Sequence, residues 1–158
     1  MKIEGIYHTG FVVRDLEKAL EFYLDILGLQ IEREPVSVDS DWLAQVVGYP
    51  EVQMKMAYVG VGDGHSIELI EYITPFAERS ITLEDRNRPG SAHAAFLVDD
   101  VEDWRKKLIS EGIHVQGPPD ERDLEFPWAR RAIYLQDLDG NWLEMVQRHP
   151  RPKGRRDN

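Results

Sequence analysis

The chain of 158 residues is 42% hydrophobic and 30% charged, and its formal net charge is −10. Such a length fits one domain of ordinary size or two small modules around a shared core, and the composition supports a buried core and argues against disorder. The negative charge would repel nucleic acid and anionic lipid, so neither is an expected partner. Because the sequence contains no cysteine, a disulfide framework is excluded and any metal must be held by nitrogen and oxygen atoms.

The first residues of the chain lead directly into strand-like sequence. They lack the apolar core of a signal peptide, and no apolar run in the chain approaches the length of a membrane span. We therefore expect a cytoplasmic protein, with a small molecule and not a membrane as its partner.

The first half of the chain alternates between strand and helix patterns. Residues 16–27 have an apolar face at helical spacing, with Asp15 at the N-cap position and Gly28 after the last turn. The turn at 62–64 separates two strand patterns, as a hairpin turn does. The predicted elements are a strand at 3–13, a helix at 16–27, a strand at 30–38, a helix at 39–49, a strand at 52–60 and a strand at 66–72.

The second half repeats this plan after a connector that is rich in proline and charge. Its predicted elements are a strand at 92–98, a helix at 101–111, a short strand at 114–117 and a closing hairpin at 131–136 and 141–147. The sequence thus divides into an N-terminal module at 1–72, a connector at 73–91, a C-terminal module at 92–148 and a basic tail at 149–158.

Two fixed offsets align the halves with each other, which indicates an internal repeat. An offset of 85 residues pairs His8 with His93, Phe11 with Phe96, Val13 with Val98 and Asp15 with Asp100, and an offset of 76 residues pairs Tyr58 with Tyr134, Asp63 with Asp139, Gly64 with Gly140, Ile67 with Leu143 and Glu68 with Glu144. The difference between the offsets predicts extra length between Gln30 and Val52. A half this small would expose one face of its sheet, so we expect the halves to pair around a cleft.

Four of the repeated residues, His8, Glu68, His93 and Glu144, can bind a metal. A single histidine at a strand start is usually a surface or hydrogen-bonded residue, but this one recurs in the second module, and each glutamate lies among apolar strand residues. A buried carboxylate needs a counter-charge, so each glutamate binds a cation, pairs with Arg or Lys, or points to solvent. The repetition favours one divalent metal site that uses all four side chains.

Glu71 is the nearest rival of Glu68 as a ligand. Residues three apart in a strand face opposite sides, and the repeat aligns Glu71 with Gln147, so Glu68 is favoured. His65 and His114 are possible supports for the ligands, although ordinary solvated positions suit both better.

Two further features have a structural and a functional interpretation. The glycine-rich run at 60–64 is similar to a phosphate loop but lies between two strands, so a hairpin turn is favoured and nucleotide binding is not expected. Four aromatic residues in irregular segments can line an apolar pocket or pack as a satellite core. They are Trp42, Tyr49, Phe126 and Trp128.

As a set, these residues resemble the vicinal oxygen chelate superfamily, which includes glyoxalase I, methylmalonyl-CoA epimerase, extradiol dioxygenases and the bleomycin and fosfomycin resistance proteins. The likeness covers nearly the whole chain. It rests on His8, Asp15-Leu16, Ala19, Phe22-Tyr23, Leu27-Gly28-Leu29, Ile67-Glu68-Leu69, His93, Asp139-Gly140 and Leu143-Glu144. The resemblance implies an α+β fold in which two tandem βαβββ modules form a pseudo-twofold curved sheet with a central metal cleft, and it implies a homodimer.

The resemblance also implies a metal that chelates two vicinal oxygens of a small-molecule substrate. Four protein ligands leave two positions open on an octahedral Ni, Co, Zn, Mn or Fe ion. This arrangement suits a lyase or isomerase of the glyoxalase I (lactoylglutathione lyase) or epimerase type, with Glu144 or Glu68 as the base. The carboxylate of Glu68 is typical of the glyoxalase pattern, since epimerases of the family resemble a glutamine there.

Two alternatives remain open from the same resemblance. The first is an Fe(II) extradiol-type ring-cleaving dioxygenase, whose family pattern is two histidines and one glutamate. The second is a metal-free small-molecule binding or resistance protein, although four intact ligand-type residues favour a metal-dependent enzyme.

Overall fold

A computed structural model describes residues 1–77, 86–116 and 131–147. Contacts divide the chain into two compact units, Met1–Thr82 with Asp137–Asn141 and Leu83–Gln136 with Trp142–Asn158. Each unit contains one four-stranded sheet. In both units the sheet and its first helix follow the order βαβββ, which confirms the two predicted modules.

The described residues of the first unit form four strands and two α-helices. Their bounds are β1 at His8–Val12, α1 at Leu16–Glu21 with a π-helical continuation at Phe22–Ile26, β2 at Gln30–Val38, α2 at Asp41–Val47, β3 at Gln53–Gly60 and β4 at Ser66–Thr74. The spatial order is β1-β4-β3-β2. Strand β1 is parallel to β4 and the other pairs are antiparallel. Since parallel strands need a long connection, the partner of β1 is the last strand of its module.

The described part of the second unit has the same strand order with one α-helix. Its bounds are β5 at His93–Leu97, α3 at Val101–Ser110, β6 at Val115–Gln116, β7 at Arg131–Gln136 and β8 at Trp142–Gln147, in the spatial order β5-β8-β7-β6. In the stretch between Gln30 and Val52, where extra length was predicted, the first unit has the nine-residue strand β2 followed by α2. Among the described residues, no helix combines the length and the apolar character that crossing a membrane requires.

The first helix of each unit begins in the same way. Asp15 and Asp100 are the N-cap residues of α1 and α3, and both carboxylates accept hydrogen bonds from backbone N–H groups of the first turn. The first N–H of α1 donates to Glu71 over 3.0 Å, and that of α3 donates to Gln147 over 3.2 Å. Glu71 therefore caps a helix, and its repeat partner does so without a charge.

The first sheet has one face that packs against α1 and an opposite face that carries Glu68 together with an apolar cluster around Leu43, Val52 and Met54. Successive residues of a strand point to opposite sides, so Ile67 and Leu69 of β4 lie on one face and Glu68 on the other. Ile67 and Leu69 are buried, and α1 lies against β3 and β4. Burial of this apolar face supplies the main driving force for folding the unit and leaves the opposite face for the polar side chains of the site.

Strand β1 is shorter than the sequence pattern predicts. Residues 3–7 are not part of the sheet, and the side chains of Ile3 and Ile6 are exposed. The parallel register of β1 with β4 starts at the pair His8 and Ser66, where β4 itself begins. None of the described strands is therefore paired with the residues before His8.

A buried hydrogen bond joins the first helical segment to the turn at Asp137–Asn141, which belongs to the first unit. The hydroxyl of Tyr23 donates to Asp137 Oδ2 over 3.0 Å, and both residues are buried. The Asp137 carboxylate also accepts hydrogen bonds from the backbone and side-chain nitrogens of Asn141. Burial raises the pKa of Asp137, and the hydrogen bonds from Asn141, Asp139 and Tyr23 partly oppose that rise.

Removing the hydroxyl of Tyr23 is expected to destabilise the fold in a pH-dependent way. Tyr23→Phe should lower the free energy of unfolding by about 1–3 kcal/mol at pH 7, because a buried carboxylate loses a donor. The pKa of Asp137 is raised above 3.8 in the folded state, so its contribution to stability is fully present below pH 3.8 and lost as the pH rises through the folded value. The hydroxyl lowers that pKa, so the loss caused by Tyr23→Phe should shrink as the pH falls towards 3.8.

Urea unfolding between pH 3.5 and pH 7 measures this effect. Tyr72→Phe is the matched control, because it removes a tyrosine hydroxyl from β4 without removing a hydrogen bond to a buried carboxylate. A loss for Tyr23→Phe that is the same at every pH would contradict the assigned role of Asp137.

Candidate metal centre

The first histidine and glutamate predicted as ligands lie side by side on the face of the first sheet that is opposite α1. His8 Nε2 is 3.0 Å from Glu68 Oε2, and the two side chains are 33% and 11% exposed. The register pairs Gly10 with Glu68, and His8 lies two residues before Gly10 on the same face. A Cβ atom at Gly10 would lie 3.6 Å from Glu68 Oε2, which is an ordinary contact distance.

The second histidine and glutamate have the same arrangement in the second unit. His93 Nε2 is 3.1 Å from Glu144 Oε2, and the side chains are 41% and 16% exposed. The residue opposite Glu144 on β5 is Ala95, the repeat counterpart of Gly10. In each unit, two parallel strands therefore place a histidine beside a glutamate, and the residue opposite the glutamate is small.

Each glutamate also faces a tyrosine on the neighbouring antiparallel strand. Tyr58 lies opposite Glu68, and its hydroxyl donates to Glu68 Oε1 over 2.5 Å. Burial, followed by this hydrogen bond, raises the pKa of Tyr58 to about 12. Tyr134 lies opposite Glu144, and its pKa is raised by burial and then by the charge of Glu144 and the hydrogen bond to it. Both hydroxyls thus keep their protons at neutral pH.

The sequence analysis aligned these two tyrosines but did not assign them to the site. The signal was present, since Tyr58 and Tyr134 share the offset of 76 residues with Glu68 and Glu144. The missing information was the antiparallel register, which places each tyrosine directly opposite its glutamate.

The histidine–glutamate pairs fit a divalent cation. Adjacent ligands of an octahedral ion with bonds of about 2.1 Å lie about 3.0 Å apart, close to the nitrogen–oxygen distances of 3.0 and 3.1 Å in the two pairs. His8 Nδ1 is buried and has no hydrogen-bond partner among the described residues, whereas Nε2 of the same ring faces Glu68 Oε2 over 3.0 Å. Imidazole nitrogen and carboxylate oxygen suit Zn, Ni, Co, Mn and Fe.

The described residues group the predicted ligands as two pairs, His8 with Glu68 and His93 with Glu144. In the same parts of the chain, no three or more His, Asp or Glu side chains form a cluster that would hold a metal. Glu71 is separate from the pairs, since it caps α1 and lies 3.7 Å from the Lys55 ammonium.

The other singled-out residues lie outside the two pairs. His65 Nε2 is hydrogen-bonded to Thr9 over 2.9 Å, and His114 is exposed. Trp42 is 71% exposed, and Tyr49 stacks edge-on against Tyr72 with 5.9 Å between ring centroids. Phe126, Trp128 and the tail at 149–158 lie outside the described residues.

Comparison with known proteins identifies the family. A profile of the Glyoxalase/Bleomycin resistance protein/Dioxygenase superfamily matches residues 5–145. This match spans both modules and all four candidate ligands, and the chain belongs to this superfamily.

Individual relatives have different activities. The chain is 27% identical over 147 residues to a 2-epi-5-epi-valiolone epimerase of Actinomyces sp, covering 90% of this chain and 78% of the relative. It is 26% identical over 142 residues to a probable lactoylglutathione lyase of Synechocystis, covering 90% and 94%. A crystal structure of a glyoxalase family protein from Bacillus cereus superposes with a TM-score of 0.82 at 21% identity, covering 95% of this chain and 97% of that one. At this identity the structural likeness concerns the fold.

Proposed function

We propose that this protein is a divalent-metal-dependent lyase or isomerase of the glyoxalase I or epimerase type, and that His8, Glu68, His93 and Glu144 hold one ion. In the proposed reaction, the ion chelates a carbonyl oxygen and a neighbouring oxygen of the substrate. A proton is then removed from the carbon next to that carbonyl and delivered to a carbon again. A small molecule with two vicinal oxygens is the proposed substrate class.

The observation that carries this proposal is the presence of two equivalent histidine–glutamate pairs, one in each unit. Their nitrogen–oxygen distances, 3.0 and 3.1 Å, are nearly the same, and the repeat relates each member of one pair to a member of the other. A buried carboxylate such as Glu68 is costly without a positive partner, and a divalent ion supplies one. The epimerase and lyase names of two relatives support the reaction class.

The two glutamates supply the proton chemistry in this proposal. A divalent ion provides Lewis acidity, which makes the carbon-bound proton beside a chelated carbonyl more acidic. One carboxylate oxygen of Glu68 or Glu144 accepts that proton and returns it to the neighbouring carbon; in an epimerase reaction one glutamate accepts the proton and the other delivers a proton to the opposite face of the same carbon. No net redox change occurs, because one proton is removed from carbon and one proton is delivered to carbon, and the proton held on the carboxylate can exchange with solvent in between.

Solvent deuterium exchange tests this reaction class directly. Metal-replete protein in D₂O is expected to exchange the proton next to the carbonyl in at least one of three substrate types, a 2-hydroxyketone, a hemithioacetal or an acyl-CoA, as followed by proton NMR. Metal-free protein is the control and should show no exchange above the buffer rate. Absence of exchange in all three substrate types with metal-replete protein would contradict the proposal.

The two alternatives give different results in the same preparation. A ring-cleaving dioxygenase would consume oxygen when Fe²⁺ and a catechol are added, and it would keep that activity in Glu68→Gln. A metal-free binding protein would purify without stoichiometric metal and would show no change in melting temperature on addition of a chelator. The proposed enzyme should consume no oxygen under these conditions, and its melting temperature should change when the chelator is added.

A further inference from the structure

We propose that Tyr58 and Tyr134 are positioning residues that hold Glu68 and Glu144 in the orientation that metal binding requires. This role rests on the proposed metal site. The repeat retains a tyrosine at both positions, and neither tyrosine is among the proposed ligands.

The first argument is that the two carboxylate oxygens of Glu68 have different partners. Oε1 accepts the hydrogen bond from Tyr58 over 2.5 Å, and Oε2 faces His8 Nε2 over 3.0 Å. A carboxylate held at one oxygen presents only the other oxygen to a cation. Tyr58 thus fixes the side-chain rotation of Glu68 and favours binding through a single oxygen, which leaves more of the coordination sphere for substrate.

The second argument is that the tyrosine rings are themselves held in place. The Arg33 guanidinium carbon lies 4.8 Å from the centroid of the Tyr58 ring, and the Arg86 carbon lies 4.1 Å from that of Tyr134. Each ring also meets its histidine edge-on, with 5.7 Å between the centroids of His8 and Tyr58. Cation–π contacts of this kind orient a ring and help to keep it in place.

The origin of the two arginines strengthens this interpretation. Arg33 lies in β2, and Arg86 lies ahead of β5; neither offset of the repeat aligns one with the other. Duplication of an ancestral module therefore explains the tyrosines but not the arginines. Arginines from two different parts of the chain thus stack on the two tyrosine rings, one on each ring. This points to the orientation of the rings as the property that matters.

Cobalt binding by hydroxyl-deletion variants tests this role. Tyr58→Phe and Tyr134→Phe keep the ring and its stacking on arginine but remove the donor. Each variant is expected to bind Co²⁺ about 10- to 100-fold more weakly than the wild-type chain, as is typical when an outer partner of a ligand is lost. The visible absorption spectrum of bound Co²⁺ should also change, because the coordination mode of the freed carboxylate changes.

Tyr72→Phe is the matched control for these variants. Tyr72 lies on the same face of β4 as Glu68, and stacks with Tyr49. The Tyr72→Phe variant should bind Co²⁺ with the wild-type affinity and spectrum. The melting temperatures of the metal-free proteins show whether each variant folds. Arg33→Met, which retains the Tyr58 hydroxyl, should give a smaller loss of affinity than Tyr58→Phe.

The outcomes separate this role from the proposed function. Normal Co²⁺ binding by the wild-type chain, with the same affinity and spectrum in both phenylalanine variants, would overturn the positioning role and leave the metal site standing. Absence of Co²⁺ binding by the wild-type chain would overturn the proposed function and the positioning role together.

Discussion

Replacing either His8 or His93 with alanine is expected to lower the affinity of the protein for Ni²⁺ or Co²⁺ by more than the roughly 100-fold that loss of an outer partner can cost. An imidazole nitrogen is a primary donor in the proposed site, and alanine supplies nothing in its place. Because the two histidines belong to different modules, a wild-type stoichiometry of one ion per chain together with a similar loss of affinity in both variants would indicate that both modules serve the same ion. Isothermal titration with each metal measures the affinity.

The exposed residue His114 provides the control for this experiment. His114→Ala removes an imidazole from the second unit without touching either histidine–glutamate pair, and its metal affinity should equal that of the wild-type chain. A His8→Ala variant that binds metal normally while His93→Ala does not would contradict a site that draws on both modules.

Replacing a glutamate with glutamine is expected to separate metal binding from proton transfer. Glu68→Gln and Glu144→Gln retain a ligand oxygen, but the amide cannot accept a proton at neutral pH. The variant that loses the proton-transferring carboxylate should slow deuterium exchange by about 10²- to 10⁴-fold, whereas the other should change exchange much less. Proton NMR in D₂O, with the metal content measured on the same samples, distinguishes the two carboxylates.

Glu71→Gln is the matched control for the glutamate variants. Glu71 lies on the same strand as Glu68. Its repeat counterpart Gln147 shows that a glutamine can accept the hydrogen bond from a helix N-terminus. Exchange in Glu71→Gln should match the wild-type rate. Wild-type exchange rates in both Glu68→Gln and Glu144→Gln would contradict a glutamate base.

Much of the fold could be predicted because local patterns and the repeat agree. The cap residues Asp15 and Asp100 predicted both helix starts, and the turn residues predicted both closing hairpins. The repeat also distinguished Glu68 from Glu71, since only Glu68 has a glutamate as its counterpart. The helix predicted at 16–27 forms, but its second half, Phe22–Ile26, is π-helical, and an apolar stripe does not distinguish such a widened turn from an α-helical one.

The features that sequence alone did not predict depend on contacts between distant residues. The pairing of β3 with β4 sets the register that places Tyr58 opposite Glu68, and the sequence pattern of hydrophobic and polar residues does not predict that register. The bond between Tyr23 and Asp137 joins residues far apart in sequence, and neither belongs to a recognisable motif. Residues 3–7 have strand-like composition, but no described strand pairs with them, and this follows from the topology and not from the local sequence.

The central claim is that four residues from two repeated modules hold one divalent ion. Elemental analysis of the protein purified without added metal tests it most directly, when it is repeated on Glu68→Ala and His93→Ala. The wild-type chain should contain about one divalent ion per chain, and each variant should contain almost none, because a site of this kind loses affinity steeply with each ligand. Two ions in the wild-type chain, or the same metal content in all three proteins, would contradict the claim.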